Sequence, residues 1–316
     1  MKKANSTTIM KKKWSLKTFR RYYALSLMAV PAVLYLLLNN YLPLLGLSIA
    51  FKKVNYVDGI WKSPWCGWDN FRFLFLTPDA YTITRNTICY NLVFILMGIP
   101  SAVFIAILLN ELRGRFLPRL YQSSLIIPYL ISFTVVGYIV YAFLSPDYGI
   151  ANLFLEKVLG REAVNWYAEA AKWPPILVFV NLWKNCGYSS VMYLAAIMGI
   201  DATYYEAAML DGASRWQKIR YITLPSIQPV IIMLLLLNIG RIFYADFGLF
   251  YQTTMNSGLL HSTTNVIDTY VYRALLTTGD IGMSAAAGCY QSVIGFVLVL
   301  GANLLTRKYS SENALF

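Results

Sequence analysis

Polar and charged side chains that interrupt two long apolar stretches are the residues of this chain best placed to act on a solute. Such groups are costly within a membrane, so they usually face a cavity or a partner. Lys184 lies about ten residues into its stretch, near the middle of a membrane at about 1.5 Å per helical residue. The candidate path residues are Trp183, Lys184, Asn185 and Tyr188 in one stretch, and Asn238, Arg241, Tyr244 and Asp246 in the next. Together they predict a polar path across the membrane.

The two cations in this set leave three interpretations open. Lys184 and Arg241 could pair with carboxylates on a neighbouring subunit, line a cavity, or extend along the lipid edge. In the cavity interpretation, aromatic faces pack on the C–H patches of a sugar while amides and charges bind its hydroxyls. That interpretation also predicts an anionic sugar, such as a uronic-acid oligomer, because both charges are positive.

Residues suited to catalysis or metal binding are scarce in the sequence. The single histidine, His261, falls in a predicted loop, and the four cysteines lack metal-ligand spacing. No Gly-x-x-x-x-Gly-Lys-Ser/Thr pattern occurs, so the chain has no P-loop for ATP. We therefore predict no catalytic residue, no metal site and no cofactor held by this chain.

The composition predicts a membrane protein. Hydrophobic residues make up 58% of the 316 residues and charged residues only 13%, whereas soluble domains carry about 25% charged residues. Six apolar runs are long enough to cross the hydrocarbon core as helices, which takes about 20 residues. They are 25–51, 86–109, 121–144, 174–198, 227–245 and 284–305. The predicted fold class is all-α and polytopic, with about six transmembrane helices.

The net charge of +12 is explained by where the basic residues fall relative to these runs. Cytoplasmic segments of membrane proteins are enriched in Lys and Arg. Residues 2–21 are rich in both, and the loops on that side, which include Arg113 and Arg115, add further positive charge. We therefore predict a basic cytoplasmic tail at 1–24, a transmembrane domain at 25–306 and a short cytoplasmic tail at 307–316. We predict no binding to nucleic acid.

One segment, residues 203–225, lies between the fourth and fifth apolar runs and resembles neither of them; we call it the coupling segment. Thr203 and Glu206 have the spacing of a helix-capping box, and Gly212 permits a sharp change of direction. Its small residues would let another protein surface approach closely. Leu224–Pro225 is expected to end the element before the next membrane helix. The pattern predicts an amphiphilic docking element on the cytoplasmic side.

The spacing of this segment resembles the signature of permease subunits of binding-protein-dependent ABC importers. The matching residues are Glu206, Ala207, Ala208, Gly212, Ile222, Leu224 and Pro225. The resemblance extends over nearly the whole chain, to its carbohydrate-uptake branch and to the polysaccharide and oligosaccharide permeases named after LplB. The stretches that carry this wider likeness are 41–46, 50–52, 68–71, 246–250, 268–273, 282–288 and 314–316.

The resemblance implies a type I ABC importer permease fold, with a cytoplasmic coupling helix between helices 4 and 5. That helix would dock in a groove of an ATPase subunit, with Glu206 and Gly212 central to the contact. The coupling residues implied are Glu206, Ala207, Ala208, Asp211, Gly212, Arg215, Leu224 and Pro225. ATP binding would close the ATPase pair and swing the membrane helices from inward-open to outward-open.

The partners implied are a second homologous permease, two ATPase subunits that bind ATP and Mg, and an extracellular or periplasmic sugar-binding protein. The chain itself would not be an enzyme, and it would lie in the lipid of a bacterial cell membrane. Two other classes compete with this hypothesis. An ion-driven secondary transporter should show repeated halves and intramembrane carboxylates, and a membrane enzyme should show a clustered catalytic constellation; the sequence has neither.

Overall fold

The computed structural model describes residues 23–112, 114 and 116–309, and within that part of the chain every regular element is helical. The predicted tail up to residue 22, the C-terminal residues 310–316, and Arg113 and Arg115 lie outside the described residues. The all-α membrane fold that the sequence predicts is confirmed.

The principal helices are α1 (Tyr23–Leu36, extended by the π turn Leu37–Tyr41 and the 3-10 helix Leu42–Phe51), α2 (Asp79–Glu111), α3 (Phe116–Leu130), α4 (Phe133–Leu144), α5 (Ile150–Leu159), α6 (Trp173–Met198), α7 (Ala202–Leu210), α8 (Arg215–Lys218, the π turn Ile219–Thr223, and Leu224–Ile239), α9 (Phe247–Gln252), α10 (Ile267–Thr278) and α11 (Ile281–Tyr309). The connections between them range from short turns to the stretch 52–78 between α1 and α2. The last helix continues past residue 306, where we placed the end of the transmembrane domain.

Among the described residues, four spans are long and apolar enough to cross a membrane: Leu27–Phe51, Asp79–Glu111, Arg215–Ile239 and Ile281–Lys308. The predicted run 121–144 forms no straight helix, because α3 and α4 meet at an angle of 94°. The run 174–198 forms α6, which has 26 residues but includes polar residues along one face. The six predicted runs therefore become four straight spans, one bent pair and one polar-faced helix.

Proline alone does not set the bends. Pro100 lies within the unbroken α2 and Pro128 within the last turn of α3. The break comes after Pro128, where Ser132 leaves the helical conformation and its hydroxyl accepts a hydrogen bond from the backbone of Val135. A new helix begins there because Ser132 acts as its N-cap. The hydroxyl accepts from an amide of the first turn, which has no carbonyl partner within the helix.

Two layers of buried side chains mark the two ends of the helix bundle. At the end that carries the coupling segment, Ala106 and Leu109 of α2 pack with Tyr193 and Ile197 of α6 and Ile227 of α8. At the opposite end, α2 and α6 contribute to a second layer through Tyr90 and Trp173, with Val136, Leu249 and Phe250. A third cluster at that opposite end joins Ala50, Phe71, Ile83, Phe243 and Ala286. Polar groups can therefore be enclosed by the helix segments that lie between these layers.

Helices α3 and α6 cross in direct backbone contact. A Cβ atom on Gly187 would lie 1.9 Å from the Leu125 carbonyl oxygen. Only glycine allows two helices to approach so closely at this point. This crossing fixes the position of α3 against the polar-faced helix.

Candidate functional site

A cavity of about 700 Å³ lies between α2, α6, the end of α8 and the turn that follows it. It occupies the level between the two buried layers. Six of the eight predicted path residues line it: Asn185, Tyr188, Asn238, Arg241, Tyr244 and Asp246. The sequence placed these residues in two separate apolar runs, and the fold brings them to one wall.

Helical periodicity explains which residues of α6 reach the cavity. Asn181, Asn185, Tyr188 and Met192 recur every three or four residues and therefore share one face. Trp183 and Lys184 are rotated away from that face and are not lining residues. They are therefore not wall residues of this cavity, and their place on the path stays a prediction.

The Lys184 ammonium is directed at the end of α3. Its side chain is buried, with 5% of the residue exposed. It donates to the carbonyl oxygens of Pro128 at 3.2 Å, Tyr129 at 2.9 Å and Ile131. None of the three interpretations of Lys184 anticipated this arrangement, because a kink signal such as Pro128 does not show which distant side chain packs against the break.

Asn91 of α2 is a lining residue that the sequence did not single out. Its amide nitrogen donates to the carbonyl oxygens of Thr87 at 3.0 Å, Ile242 at 2.9 Å and Tyr244 at 2.9 Å. The last two belong to the non-helical turn after α8, whose carbonyls lack intrahelical donors. Asn91 therefore holds that turn against α2 at the cavity.

Arg241 is the positive charge of the cavity wall. Among the residues that the structure describes, its guanidinium has no hydrogen-bond or ion-pair partner. Nearby, Asp246 caps α9 by accepting from the Leu249 amide at 3.3 Å. Tyr244 shares a hydrogen bond of 2.6 Å with Ser292 of α11. The carboxylate and the phenol are thus partly engaged, whereas the guanidinium is available to a ligand or partner.

The coupling segment begins with α7, and its cap differs from the prediction. The Asp201 carboxylate accepts from the Thr203 amide at 2.9 Å, so α7 starts at Ala202 and Thr203 lies in its first turn. This hydrogen bond lowers the pKa of Asp201 below its usual range. Asp is a preferred N-cap residue, and its position directly before the helix was the signal that we missed.

Two turns follow α7 and orient α8. Gly212 has a φ of +76°, in the left-handed region that ends helices. Ser214 then caps α8 in a reciprocal capping box with Gln217. The expected stop at Leu224–Pro225 is wrong, because α8 runs on to Ile239 through the π turn Ile219–Thr223. The wider turn accommodates a proline that has no backbone N–H to donate.

The outer surface of the coupling segment is exposed in this chain. Glu206, Ala207, Asp211 and Arg215 are exposed, and Ala208 is half-buried. Apolar side chains stand beside them, including Met209, Trp216 and Leu210, which is 90% exposed. On the inner side, the Tyr205 hydroxyl bonds to the Thr223 hydroxyl at 2.9 Å and ties α7 to α8. A rigidly mounted, partly apolar surface of this kind is suited to docking.

Substitution at Gly212 tests whether this turn positions α7 for contact with a partner protein. A Cβ there would meet nothing within 4 Å, but the φ of +76° remains costly for a branched side chain. If α7 docks on an ATPase, as the resemblance implies, Gly212→Val should reorient α7 and lower ATP-driven uptake by roughly tenfold, since backbone strain costs about 1–3 kcal/mol. Gly212→Asn should retain most activity because Asn tolerates this conformation. Uptake in proteoliposomes measures both, and equal loss in the two variants would contradict the role of the turn.

Within the described part of the chain, no group of three or more His, Cys, Asp or Glu residues could hold a metal ion. His261 is half-buried near Arg273, and burial together with that charge lowers the pKa of His261. It begins the one-turn helix His261–Thr264 before α10 and is not among the residues that line the cavity.

Comparison with known proteins agrees with this arrangement. Residues 83–311 match the family described as binding-protein-dependent transport system inner membrane component. Protein LplB of Bacillus subtilis (strain 168) is 36% identical over 288 residues, covering 91% of this chain and 90% of that protein. The polygalacturonan/rhamnogalacturonan transport system permease protein YteP of the same organism is 33% identical over 307 residues, covering 96% and 93%.

Solved structures with the same architecture are also found. A chain of a bacterial ABC transporter involved in the import of the acidic polysaccharide alginate superposes with a TM-score of 0.82 at 33% identity, covering 93% of this chain and 98% of that one. A chain of the bacterial alginate transporter in complex with its alginate pentasaccharide-bound periplasmic protein gives a TM-score of 0.82 at 32% identity, covering 93% and 97%.

Proposed function

The chain belongs to the family of binding-protein-dependent transport system inner membrane components, and from this membership we propose that it is the permease through which an ABC importer takes up acidic oligosaccharides. The membrane-spanning helices and the absence of a P-loop motif fit a translocation subunit. YteP is described as a polygalacturonan/rhamnogalacturonan permease, and the structural relative is described as importing the acidic polysaccharide alginate. The single observation that carries the acidic specificity is the guanidinium of Arg241 in the cavity, which has no partner among the described residues.

The composition of the cavity wall supports an oligosaccharide as cargo. Tyr188 and Tyr244 offer ring surface, and Asn185 and Asn238 offer amides for hydroxyl groups. A volume of about 700 Å³ in one chain is within the usual range of small-ligand sites, about 300–1,000 Å³. Arg241 adds a planar donor fork that matches a carboxylate.

Separate chains supply the energy and the delivery of the sugar in this proposal. Two ATPase subunits bind ATP and Mg and dock on the coupling segment, through Glu206, Ala207, Ala208, Asp211, Gly212, Arg215, Leu224 and Pro225. A second, homologous permease completes the path, and an extracellular or periplasmic binding protein delivers the sugar. The exposed surface of the coupling segment and the periplasmic protein bound to a structural relative support these assignments.

We place the chain in a bacterial inner or plasma membrane with both termini in the cytoplasm. Phe51 at the end of α1 and Ala286 near the start of α11 pack in one cluster, opposite the coupling segment. The other ends of α1 and α11 therefore point toward the side that carries the coupling segment. The transmembrane domain at 25–306 and the two tails remain our assignment of domains.

Replacing Arg241 tests the specificity for acidic sugars. We expect Arg241→Gln to lower uptake of an oligogalacturonide by about tenfold or more, because a hydrogen bond to a charged group contributes about 1.5–3 kcal/mol. Uptake of a neutral oligosaccharide of the same length should change less than about twofold. The measurement is ATP-dependent uptake of both labelled sugars into proteoliposomes that contain the complete importer.

The control variant is Arg241→Lys, which keeps the positive charge and should retain the preference for the acidic sugar. If Arg241→Gln lowers uptake of both sugars equally, Arg241 pairs with a neighbouring subunit and the acidic specificity is wrong. Uptake that persists without the ATPase subunits would instead favour an ion-driven transporter.

A further inference from the structure

We propose that Lys184 is a positioning residue for the translocation path: its ammonium holds the break between α3 and α4, and through two stacked tyrosine rings it sets one wall of the cavity. This inference rests on the proposed function, in which the cavity forms part of the path. Lys184 itself does not line the cavity, so its effect on the sugar is indirect.

The ammonium of Lys184 satisfies the carbonyl groups that the break exposes. A helix that ends leaves its last four carbonyls without intrahelical donors. Lys184 donates to the carbonyl oxygens of Pro128, Tyr129 and Ile131, which lie at the end of α3 and in the break. An ammonium has three N–H donors, so its donor capacity matches these three acceptors. The positive charge also lies at the negative end of the α3 dipole.

Aromatic contacts extend from this ammonium to the cavity. The Lys184 nitrogen lies 5.8 Å from the ring centroid of Tyr129 and 4.7 Å from that of Phe133. Tyr129 is stacked on Tyr188, with ring centroids 4.1 Å apart and planes within 5° of parallel. Tyr188 lines the cavity. A displacement of the break therefore moves the support of an aromatic wall residue.

Two elements that carry cavity residues, α6 and α9, also pack against the α3–α4 pair at the break. On α6, Gly187 brings the backbone against Leu125 of α3. At the start of α9, Gly248 lies against the Phe133 ring, which a Cβ would approach to 2.5 Å. Movement of the α3–α4 pair and the shape of the cavity are thus mechanically linked, with Lys184 at the junction.

The test measures both the break and the transport kinetics in Lys184→Met, a side chain of similar length without charge. Spin labels at Leu120 on α3 and Tyr138 on α4, both exposed, report the distance across the break in the assembled importer. We expect Lys184→Met to broaden or shift that distance distribution and to raise the apparent KM for an oligogalacturonide by about tenfold, since charged hydrogen bonds are lost. Lys184→Arg should restore both readouts, because it supplies charged donors again.

A purely structural role would lower the amount of assembled importer and the maximal rate, with KM unchanged, and this result would overturn the proposal. An unchanged distance distribution in Lys184→Met would also overturn it. If Lys184→Met does not fold, Tyr129→Leu replaces it, since that variant keeps the Lys184 nitrogen on the backbone carbonyls but removes the ring stack. It should raise KM at an unchanged distance, and an unchanged KM would refute the link to the cavity. The sugar preference of Arg241→Gln is measured separately, so its failure and the failure of this proposal are distinguishable.

Discussion

Reversing the charge of Glu206 is expected to abolish most coupling while leaving the permease folded. Among the described residues, the Glu206 carboxylate is exposed and has no hydrogen-bond or ion-pair partner. Glu206→Lys therefore breaks no hydrogen bond or ion pair with the described residues, and we expect any large effect to arise at a partner. We expect ATP-driven uptake to fall at least about 30-fold, because a misplaced charge in an interface costs several kcal/mol.

The measurements are co-purification of the ATPase subunits with the permease and uptake in proteoliposomes. Glu111→Lys is the matched control, since Glu111 is also exposed. It lies at the end of α2, near the buried layer at the end of the bundle that carries the coupling segment. It should leave assembly and uptake close to the unsubstituted protein. Normal assembly and uptake in Glu206→Lys would refute the assignment of the coupling segment as the ATPase contact.

Gly187→Ala is expected to produce the largest loss of stability. The new methyl group would lie 1.9 Å from the Leu125 carbonyl oxygen, and the atom that must yield is backbone rather than a flexible side chain. Overpacking of this kind typically costs about 1–3 kcal/mol, and α3 would have to move away from α6. For a protein of this size we expect the thermal midpoint in detergent to fall by roughly 2–5 °C.

Gly288→Ala provides the matched control in another membrane helix, because a Cβ at Gly288 meets nothing within 4 Å. Its thermal midpoint should stay the same or rise slightly, since Ala favours helices over Gly by about 1 kcal/mol. Thermal unfolding followed by fluorescence gives both values. Equal midpoints for the two variants would show that α3 and α6 do not depend on this contact.

The apolar runs and the coupling segment could be predicted from the sequence because both are local patterns. A run of about 20 apolar residues has to satisfy its own backbone in lipid, and only a helix does so within one segment. Gly212 is likewise a local signal, since its left-handed φ is set by its immediate neighbours. The errors in that segment were also local: Asp201 was overlooked as a cap, and Pro225 was treated as a stop although a π turn absorbs it.

By itself, the sequence determined that this protein is a helical membrane protein with the signature of an ABC importer permease, and it singled out six of the residues that line the cavity. Lys184 and Arg241 are both cations within apolar runs, but only the tertiary structure decided which groups each of them contacts. The 94° break after α3 creates unpaired carbonyls that draw in Lys184, whereas the turn after α8 leaves Arg241 facing the cavity. The partner of a buried charge depends on which distant segment packs beside it, and the pattern of one apolar run carries no information about that contact.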